Sequence, residues 1–132
     1  MLAKTYSYAL SGLDARPVEI EVDVHNGLPL THIVGLPDNV IKESKERIKS
    51  AIKNSGYRYP QRRVTINLSP ANLKKEGPAF ELAMAVGILA ADGQLDLEKL
   101  NGFAILGELS LDGSIKAVRG CLPIALEMDQ SH

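Results

Sequence analysis

The chain has 132 residues, 45% of them apolar, and a formal net charge of −1 at pH 7. This length matches one domain able to bury roughly two-thirds of its unfolded surface. The one cysteine, Cys121, excludes an internal disulfide and a cysteine-based zinc cluster, and it favours a reducing cytoplasm. The longest apolar run, Leu82 to Ala91, is about half of what a bilayer requires, and no signal-peptide region opens the chain. We therefore expect a cytoplasmic chain with no membrane partner.

The first third of the sequence predicts three strands. Residues 5–10, TYSYAL, and residues 18–24, VEIEVDV, alternate in period 2. The second run is typical of a half-exposed antiparallel strand, because four aliphatic side chains share one face, namely Val18, Ile20, Val22 and Val24. Residues 25–30, HNGLPL, have turn chemistry, and residues 31–36, THIVGL, predict the third strand.

A helix and a fourth strand follow. Asp38 comes directly after Pro37 and is the predicted N-cap of a helix whose apolar residues recur at helical spacing to about Asn54. Gly56 is the predicted stop of that helix. Residues 62–68, RRVTINL, predict a strand.

The rest of the chain predicts a buried helix, a hairpin and the start of a last helix. Pro78 suits a first helical turn, so we expect a helix from about Ala79 to Ala91, apolar almost all round and therefore in the core. Asp112-Gly113 predicts a hairpin turn between strands at residues 103–111, FAILGELSL, and 114–118, SIKAV, and residues 120–132 begin the last helix. The order βββ-α-β-α-ββ-α predicts one α+β domain over residues 1–132, with helices layered on a mixed sheet.

The charge is distributed unevenly along the chain. Between Lys42 and Lys75 there are ten cations and two acids, a net of +8, which leaves −9 for the rest of the chain. Such a split indicates an anionic partner, either nucleic acid or an acidic neighbouring domain, although a solvated helix face also explains it. On the first interpretation the candidate nucleic-acid contacts are Lys42, Lys45, Lys49, Lys53, Arg58, Arg62, Arg63, Lys74 and Lys75.

Histidines and strand acids predict no metal site. His25 and His32 have no carboxylate at ligand spacing, so we interpret both as surface or turn residues. Three acids share one strand face, which is typical of a solvated sheet: Glu19, Glu21 and Asp23.

Three further features have structural interpretations. Glu76 and Glu81 flank a helix start, where the helix dipole favours carboxylates without catalysis. Cys121 is interpreted as a small core residue. Tyr57 and Tyr59 border the arginines and are candidates for base stacking, with packing in the fold as the alternative.

Two segments resemble the catalytic motifs of Lon-type peptidases. Residues 75–83, KEGPAFELA, resemble the motif in which a Gly-Pro-Ser turn opens a helix. Residues 107–126, GELSLDGSIKAVRGCLPIAL, resemble the later segment that contains the catalytic lysine. Aligned on these motifs, the serine position is Ala79 and the lysine position is Leu122. Neither side chain can act as nucleophile or base, so no catalytic residue is predicted.

The chain as a whole resembles the N-terminal domain of the ComM/YifB family, the magnesium-chelatase-like AAA+ proteins of bacteria. The matching motifs are IVGLPD, AIKNSG, PQRRVTINLSPA, KEGPAFEL and LGELSLDG, spread over nearly all 132 residues. The resemblance implies a Lon-like fold, shared with a ribosomal small-subunit protein domain, and a downstream ATPase module with ATP and magnesium in a homo-hexamer. It also implies a role in DNA branch migration during natural transformation.

A nucleotide site is not predicted within the chain itself. The Walker A loop needs the sequence Gly-x-x-x-x-Gly-Lys-Ser/Thr to wrap the phosphates, and no such run occurs. The chain alone is therefore predicted to have no cofactor and no enzymatic activity, although the full-length protein is expected to be an ATPase.

Two functions remain open. The domain either binds or guides single-stranded or branched DNA, or it is an assembly domain whose cations pair with neighbouring subunits or with its own ATPase domain. A degenerate peptidase domain is the third alternative.

Overall fold

The described residues form one four-stranded sheet, a two-stranded ladder and two α-helices. A computed structural model describes residues 1–11, 14–70, 77–100 and 102–116. The elements in chain order are β1 (Leu2–Ser11), β2 (Asp14–His25), β3 (Thr31–Val34), α1 (Asp38–Asn54), β4 (Arg63–Ser69), a 3₁₀ turn (Gly77–Phe80), α2 (Glu81–Ala91), a second 3₁₀ turn (Leu97–Leu100), β5 (Glu108–Leu109) and β6 (Ile115–Lys116). The predicted last helix lies outside the described residues.

The four-stranded sheet is mixed, with the order β1-β2-β4-β3. Strand β2 pairs antiparallel with both β1 and β4, and β3 lies parallel to β4 at the edge. Helix α2 covers one face of this sheet, and the described side chains on the other face, which we call the open face, are partly exposed. The predicted α+β class and its two layers are confirmed.

The predicted core face of β2 is confirmed residue by residue. Val18, Ile20, Val22 and Val24 are all 0% exposed. Helix α2 lies directly on this face: a Cβ placed on Gly87 would be 2.7 Å from Val22 Cγ2. Glycine thus allows a close approach between helix and sheet.

Helix α1 starts one residue earlier than predicted. The N-cap position is Pro37, with φ −61° and ψ 148°, and no side chain caps it. The Pro37 carbonyl accepts the first helical hydrogen bond, from Ile41 N–H at 3.0 Å. The prediction of Asp38 as N-cap is therefore wrong, because Asp38 is already inside the first turn, where its charge still favours the helix dipole.

The predicted end of α1 at Gly56 is confirmed by its capping geometry. Gly56 has φ +88° and donates to the Lys53 carbonyl at 3.2 Å. Tyr57 N–H donates to the Ile52 carbonyl at 3.1 Å. This pair of bonds is the Schellman motif, which needs a left-handed residue that glycine adopts without strain.

Helix α2 ends at Ala91 as predicted, but its first turn differs. Residues Gly77–Phe80 form a 3₁₀ turn, and the α-helix proper begins at Glu81. Nine of its eleven residues are buried, which confirms the predicted core position.

The first strand of the hairpin is shorter than the sequence indicates. The predicted strand over residues 103–111 is divided, because Ile105 N–H donates to the Tyr6 carbonyl at 2.7 Å and Ala104 bridges Tyr6 in parallel. Its first half therefore contacts β1, and within the described residues Glu108–Leu109 pairs with β6. In the described part of the chain no helix is both long and apolar enough to cross a bilayer.

Candidate functional site

The lysines of α1 form a stripe beside the buried face of the helix. The buried residues of α1 are Ser44, Ile48, Ala51 and Ile52. Lys42, Lys45, Lys49 and Lys53 recur at spacings of three and four, so they lie along one adjacent side. Lys42 and Lys53 are exposed, and Lys45 and Lys49 are half-buried. The helix thus presents a basic edge next to its contact with the core.

A small open hollow lies where this stripe meets the loops that flank β3 and β4. Its volume is about 90 Å³, enough for a small tetrahedral anion with water. The lining residues are Pro29, Thr31, Lys49, Lys53, Tyr59, Pro60, Gln61 and Arg62. Three of the nine candidate cations, from two separate segments, therefore meet at one place.

Tyr59 forms a rigid apolar wall of the hollow. It is 8% exposed, and its hydroxyl hydrogen-bonds the Thr31 hydroxyl. Lys49 Nζ lies 5.4 Å from the centre of the Tyr59 ring, a cation–π contact that holds the ammonium in place. Burial raises the pKa of Tyr59 above its ordinary value, so the hydroxyl stays neutral. Of the two base-stacking candidates, Tyr59 is used in packing and Tyr57, at 42% exposed, is open to solvent.

Arg62 also lines the hollow, and one acid compensates part of its positive charge. Its Nη1 lies 3.7 Å from Asp92 Oδ1 at the C-terminal end of α2. Its Nε is buried and has no hydrogen-bond partner among the described residues. Within that part of the chain no carboxylate lies at ion-pairing distance from Lys49 or Lys53. The hollow therefore has three cations and one paired acid.

The other predicted contacts do not all reach this hollow. Arg58 is exposed in the loop after α1, where Gln94 holds its backbone by bonds of 3.1 and 2.7 Å. Arg63 begins β4 and alternates with the buried Val64, so it lies on the open face of the sheet, away from Arg62. Lys74 and Lys75 lie outside the described residues.

A buried carboxylate that the sequence interpretation underestimated lies near the start of α2. Glu81 is 0% exposed, and its Oε2 accepts from Ser44 Oγ at 3.0 Å and from Arg47 Nε at 2.7 Å. Its Oε1 accepts from Leu109 N–H at 3.1 Å. One side chain thus joins α1, α2 and β5. The available signal was Ser44, a polar residue at a core-facing helical position.

The region of the peptidase-like motifs contains no free catalytic group among the described residues. Ala79 O accepts from Gly107 N–H at 3.3 Å, and Leu82 N–H donates to Gly107 O at 3.1 Å, so the two motif segments are adjacent. Ala79 provides only a methyl group, and Leu122 lies outside the described residues. The nearby Glu81 carboxylate accepts hydrogen bonds from three donors of the fold itself.

The acids of β2 are paired on the open face. Lys4 Nζ lies 3.2 Å from Glu19, Asn67 Nδ2 donates to Glu21 at 3.2 Å, and His25 Nδ1 lies 3.2 Å from Asp23. The described residues contain no group of three or more side chains that could hold a metal ion. His25 and His32 are both exposed, as the sequence indicated.

Comparison with known proteins identifies relatives over most of the chain. The family described as subunit ChlI of Mg-chelatase matches residues 20–132. Competence protein ComM of Haemophilus influenzae is 45% identical over 130 residues, 98% of this chain and 26% of that protein. Protein YifB of Salmonella typhimurium, which is uncharacterized, is 44% identical over 126 residues, 96% of this chain and 25% of that protein.

A more distant similarity is to a protease. Lon protease 2 of Bacillus subtilis is 29% identical over 85 residues, 64% of this chain and 15% of that protein. The chain spans about a quarter of the length of ComM and YifB.

Proposed function

The chain belongs to the family of the ChlI subunit of magnesium chelatase, and on this premise we propose that it is a non-catalytic accessory domain that binds DNA. The ATPase that it serves would bind ATP and magnesium in a separate module and would assemble as a hexamer. Within it, the domain would hold single-stranded or branched DNA during branch migration. A relative named as a competence protein supports a role in DNA handling.

Three cations, Lys49, Lys53 and Arg62, line one hollow, and the proposal rests on this observation. Only Arg62 has a carboxylate partner among the described residues, so positive charge remains for a ligand. Cations that neutralise backbone phosphates provide affinity without reading the sequence of the bases. The stripe of Lys42 and Lys45 extends this surface along α1. One domain would bind weakly, and several in a ring would bind tightly through effective concentration.

The non-catalytic part of the proposal rests on the peptidase positions. Ala79 occupies the serine position, and the neighbouring carboxylate of Glu81 is bonded to three donors. The residue aligned with the lysine is Leu122. With neither nucleophile nor base, the fold serves as a binding surface rather than as a peptidase.

The test is removal of positive charge from the hollow. Lys49→Gln with Lys53→Gln should weaken binding to single-stranded and branched DNA at low salt. It should also reduce the slope of log K against log salt by about 1.4, since each phosphate contact contributes roughly 0.7 on a single strand. Fluorescence anisotropy with labelled oligonucleotides at several salt concentrations measures both quantities.

Lys4→Gln is the matched control for the single variant Lys53→Gln. It removes the same charge from β1, on the open face of the sheet, where Lys4 forms only an exposed pair with Glu19. Equal effects of the two single substitutions would indicate general charge attraction. Unchanged binding and salt dependence in the double variant would refute the DNA proposal.

A second candidate function is assembly between copies of the domain. The open sheet face has three acids, Glu19, Glu21 and Asp23, beside the cations Lys4 and Arg63, and the basic stripe of α1 lies on the other side of the sheet. Pairing of the stripe with the acids of a neighbouring copy would give a head-to-tail contact. Sedimentation velocity decides this: loss of a salt-sensitive oligomer in the double lysine variant, with DNA binding unchanged, would favour assembly.

A further inference from the structure

The loop between β2 and β3 exposes two large aliphatic side chains beside the basic hollow. Leu28 is 70% exposed and Leu30 is 55% exposed. We call residues Leu28–Leu30 the apolar tip. Neither leucine contributes to the core, so the folding of the chain does not account for them. Two exposed leucines in one short loop form a candidate contact surface.

The apolar tip is held in a defined conformation. Leu30 N–H donates to the Leu28 carbonyl at 2.7 Å, which closes a tight turn around Pro29. Val64 N–H donates to the Leu30 carbonyl at 2.9 Å and fixes the loop to β4. Gly27 lies against Arg63, where an added Cβ would be 3.3 Å from Arg63 Cβ. The leucines are therefore presented by a loop whose backbone is already ordered, which lowers the entropy cost of binding.

The apolar tip and the hollow adjoin each other through one residue. Pro29, the centre of the tip, lines the hollow together with Lys49, Lys53 and Arg62. An apolar contact and an anion site are therefore side by side. A nucleic-acid strand has the same arrangement, with an anionic phosphate next to a base whose faces are apolar.

We propose that the apolar tip contacts an unstacked DNA base while the neighbouring phosphate of the same strand occupies the hollow. This inference rests on the proposed function and adds a base-contacting element to it. Apolar side chains inserted at base steps are a known means of separating or kinking DNA. The composite site therefore favours single strands and branch points, where bases are already unstacked, over intact duplex.

A protein partner explains the two features less well. A protein surface complementary to two leucines is apolar, so a protein partner would need a separate acidic patch beside it to match the adjacent cations. A nucleic-acid strand provides the apolar surface and the charge in one ligand. The charge next to the tip therefore decides between the two classes of partner.

The experiment compares Leu28→Ser with the original chain on single-stranded oligonucleotides containing 2-aminopurine. Contact with the tip should change the fluorescence of this base analogue on binding. In Leu28→Ser that change should be lost and the affinity should fall by about tenfold, the order found for the loss of one base contact. The salt slope should stay unchanged, because no charge is removed. Leu28→Phe should retain the fluorescence change.

Leu2→Ser is the matched control, because Leu2 is 52% exposed on β1 at the other edge of the sheet. Far-ultraviolet circular dichroism checks that all variants fold. If Leu28→Ser binds with the original affinity and fluorescence change while Lys49→Gln with Lys53→Gln binds weakly, the role of the tip is refuted and the DNA proposal stands. No binding by the original chain would refute the DNA proposal itself.

Two further measurements distinguish DNA from a free anion and from a protein as the ligand. Inorganic phosphate and ATP are added as competitors at matched ionic strength, and neither should displace the oligonucleotide. Displacement at low millimolar concentration would assign the hollow to a free anion and overturn the composite site. A change in self-association of Leu28→Ser, with DNA binding unaffected, would assign the tip to a protein contact.

Discussion

At the scale of single residues, burial decides the role of each charged group more than its type does. Glu43 and Glu81 both lie near Arg47, at 3.9 and 2.7 Å. The Glu43 side chain is 67% exposed and that of Glu81 is 0% exposed. Water screens the first pair, whereas the second pair is stabilised by hydrogen bonds in a dry site. The same arginine therefore has one strong and one weak partner.

Glu81→Ala should destabilise the fold strongly. It removes the acceptor of Ser44, Arg47 and Leu109 N–H, and it leaves the buried donors of Ser44 and Leu109 without this partner, while Arg47 keeps only its exposed pair with Glu43. We expect a loss of about 3–5 kcal/mol in the free energy of unfolding, measured by urea titration. Glu43→Ala is the control and should cost less than about 1 kcal/mol. Equal effects of the two variants would contradict the structural role of Glu81.

Tyr59 should make the fold sensitive to alkaline pH. Its pKa is raised from 10.0 mainly by burial, so above that pH the unfolded chain loses the phenolic proton while the folded chain keeps it. The unfolded state then binds fewer protons, and the free energy of unfolding falls as pH rises from about 10 toward the folded pKa. Urea titrations across this range should show a steeper fall for the original chain than for Tyr59→Phe. If the free energy of unfolding fell equally with pH in the original chain and in Tyr59→Phe, the role of Tyr59 would be contradicted.

At the scale of elements, the close contact between α2 and β2 holds the two layers together. Gly87 faces Val22, and Thr5 Oγ1 donates to the Ala83 carbonyl at 3.0 Å, so the sheet bonds directly to the backbone of the helix. An apolar helix with no charged face would be unstable alone and depends on this contact.

Gly87→Ala tests that contact. Alanine is normally better than glycine inside a helix by about 1 kcal/mol, but here its Cβ would be 2.7 Å from Val22 Cγ2. We expect a net loss of about 1–3 kcal/mol, because overpacking outweighs propensity. Thermal unfolding measures it. Adding Val22→Ala to Gly87→Ala should restore part of the lost stability, because it makes room for the new methyl group. A gain in stability from Gly87→Ala alone would show that the two layers are not in tight contact.

At the scale of the whole molecule, the fold brings together the two segments that resemble peptidase motifs. The segments around Ala79 and Gly107 are joined by two backbone hydrogen bonds. Lon protease 2 is similar over 64% of the chain, and similarity at the level of a fold does not by itself establish an activity.

The chain should not cleave an unfolded protein, and Ala79→Ser should not create this activity. A serine alone lacks a base, since Leu122 occupies the lysine position and Glu81 is bonded to three donors. Release of labelled peptides from a denatured substrate is the assay. Cleavage by either form that a serine-directed reagent abolishes would overturn this expectation.

The sequence by itself determined the local elements and the face of each that is buried. Period-2 alternation in β2 and the glycine after α1 are local signals, because side-chain direction and backbone freedom depend on a few neighbouring residues. The boundary at Asp38 was missed, since proline and aspartate both suit a helix start and only the Ile41 hydrogen bond distinguishes them.

Only the tertiary structure decided which distant residues meet. Lys49 and Lys53 come together with Arg62 and Pro29 because the sheet order places β3 beside β4. The adjacent Arg63 faces the other way, although the two arginines look equivalent in sequence. The donors to Glu81 likewise lie on α1 and β5, far away along the chain. Such contacts depend on how layers pack, and the pattern of one segment contains no information about the segment that packs against it.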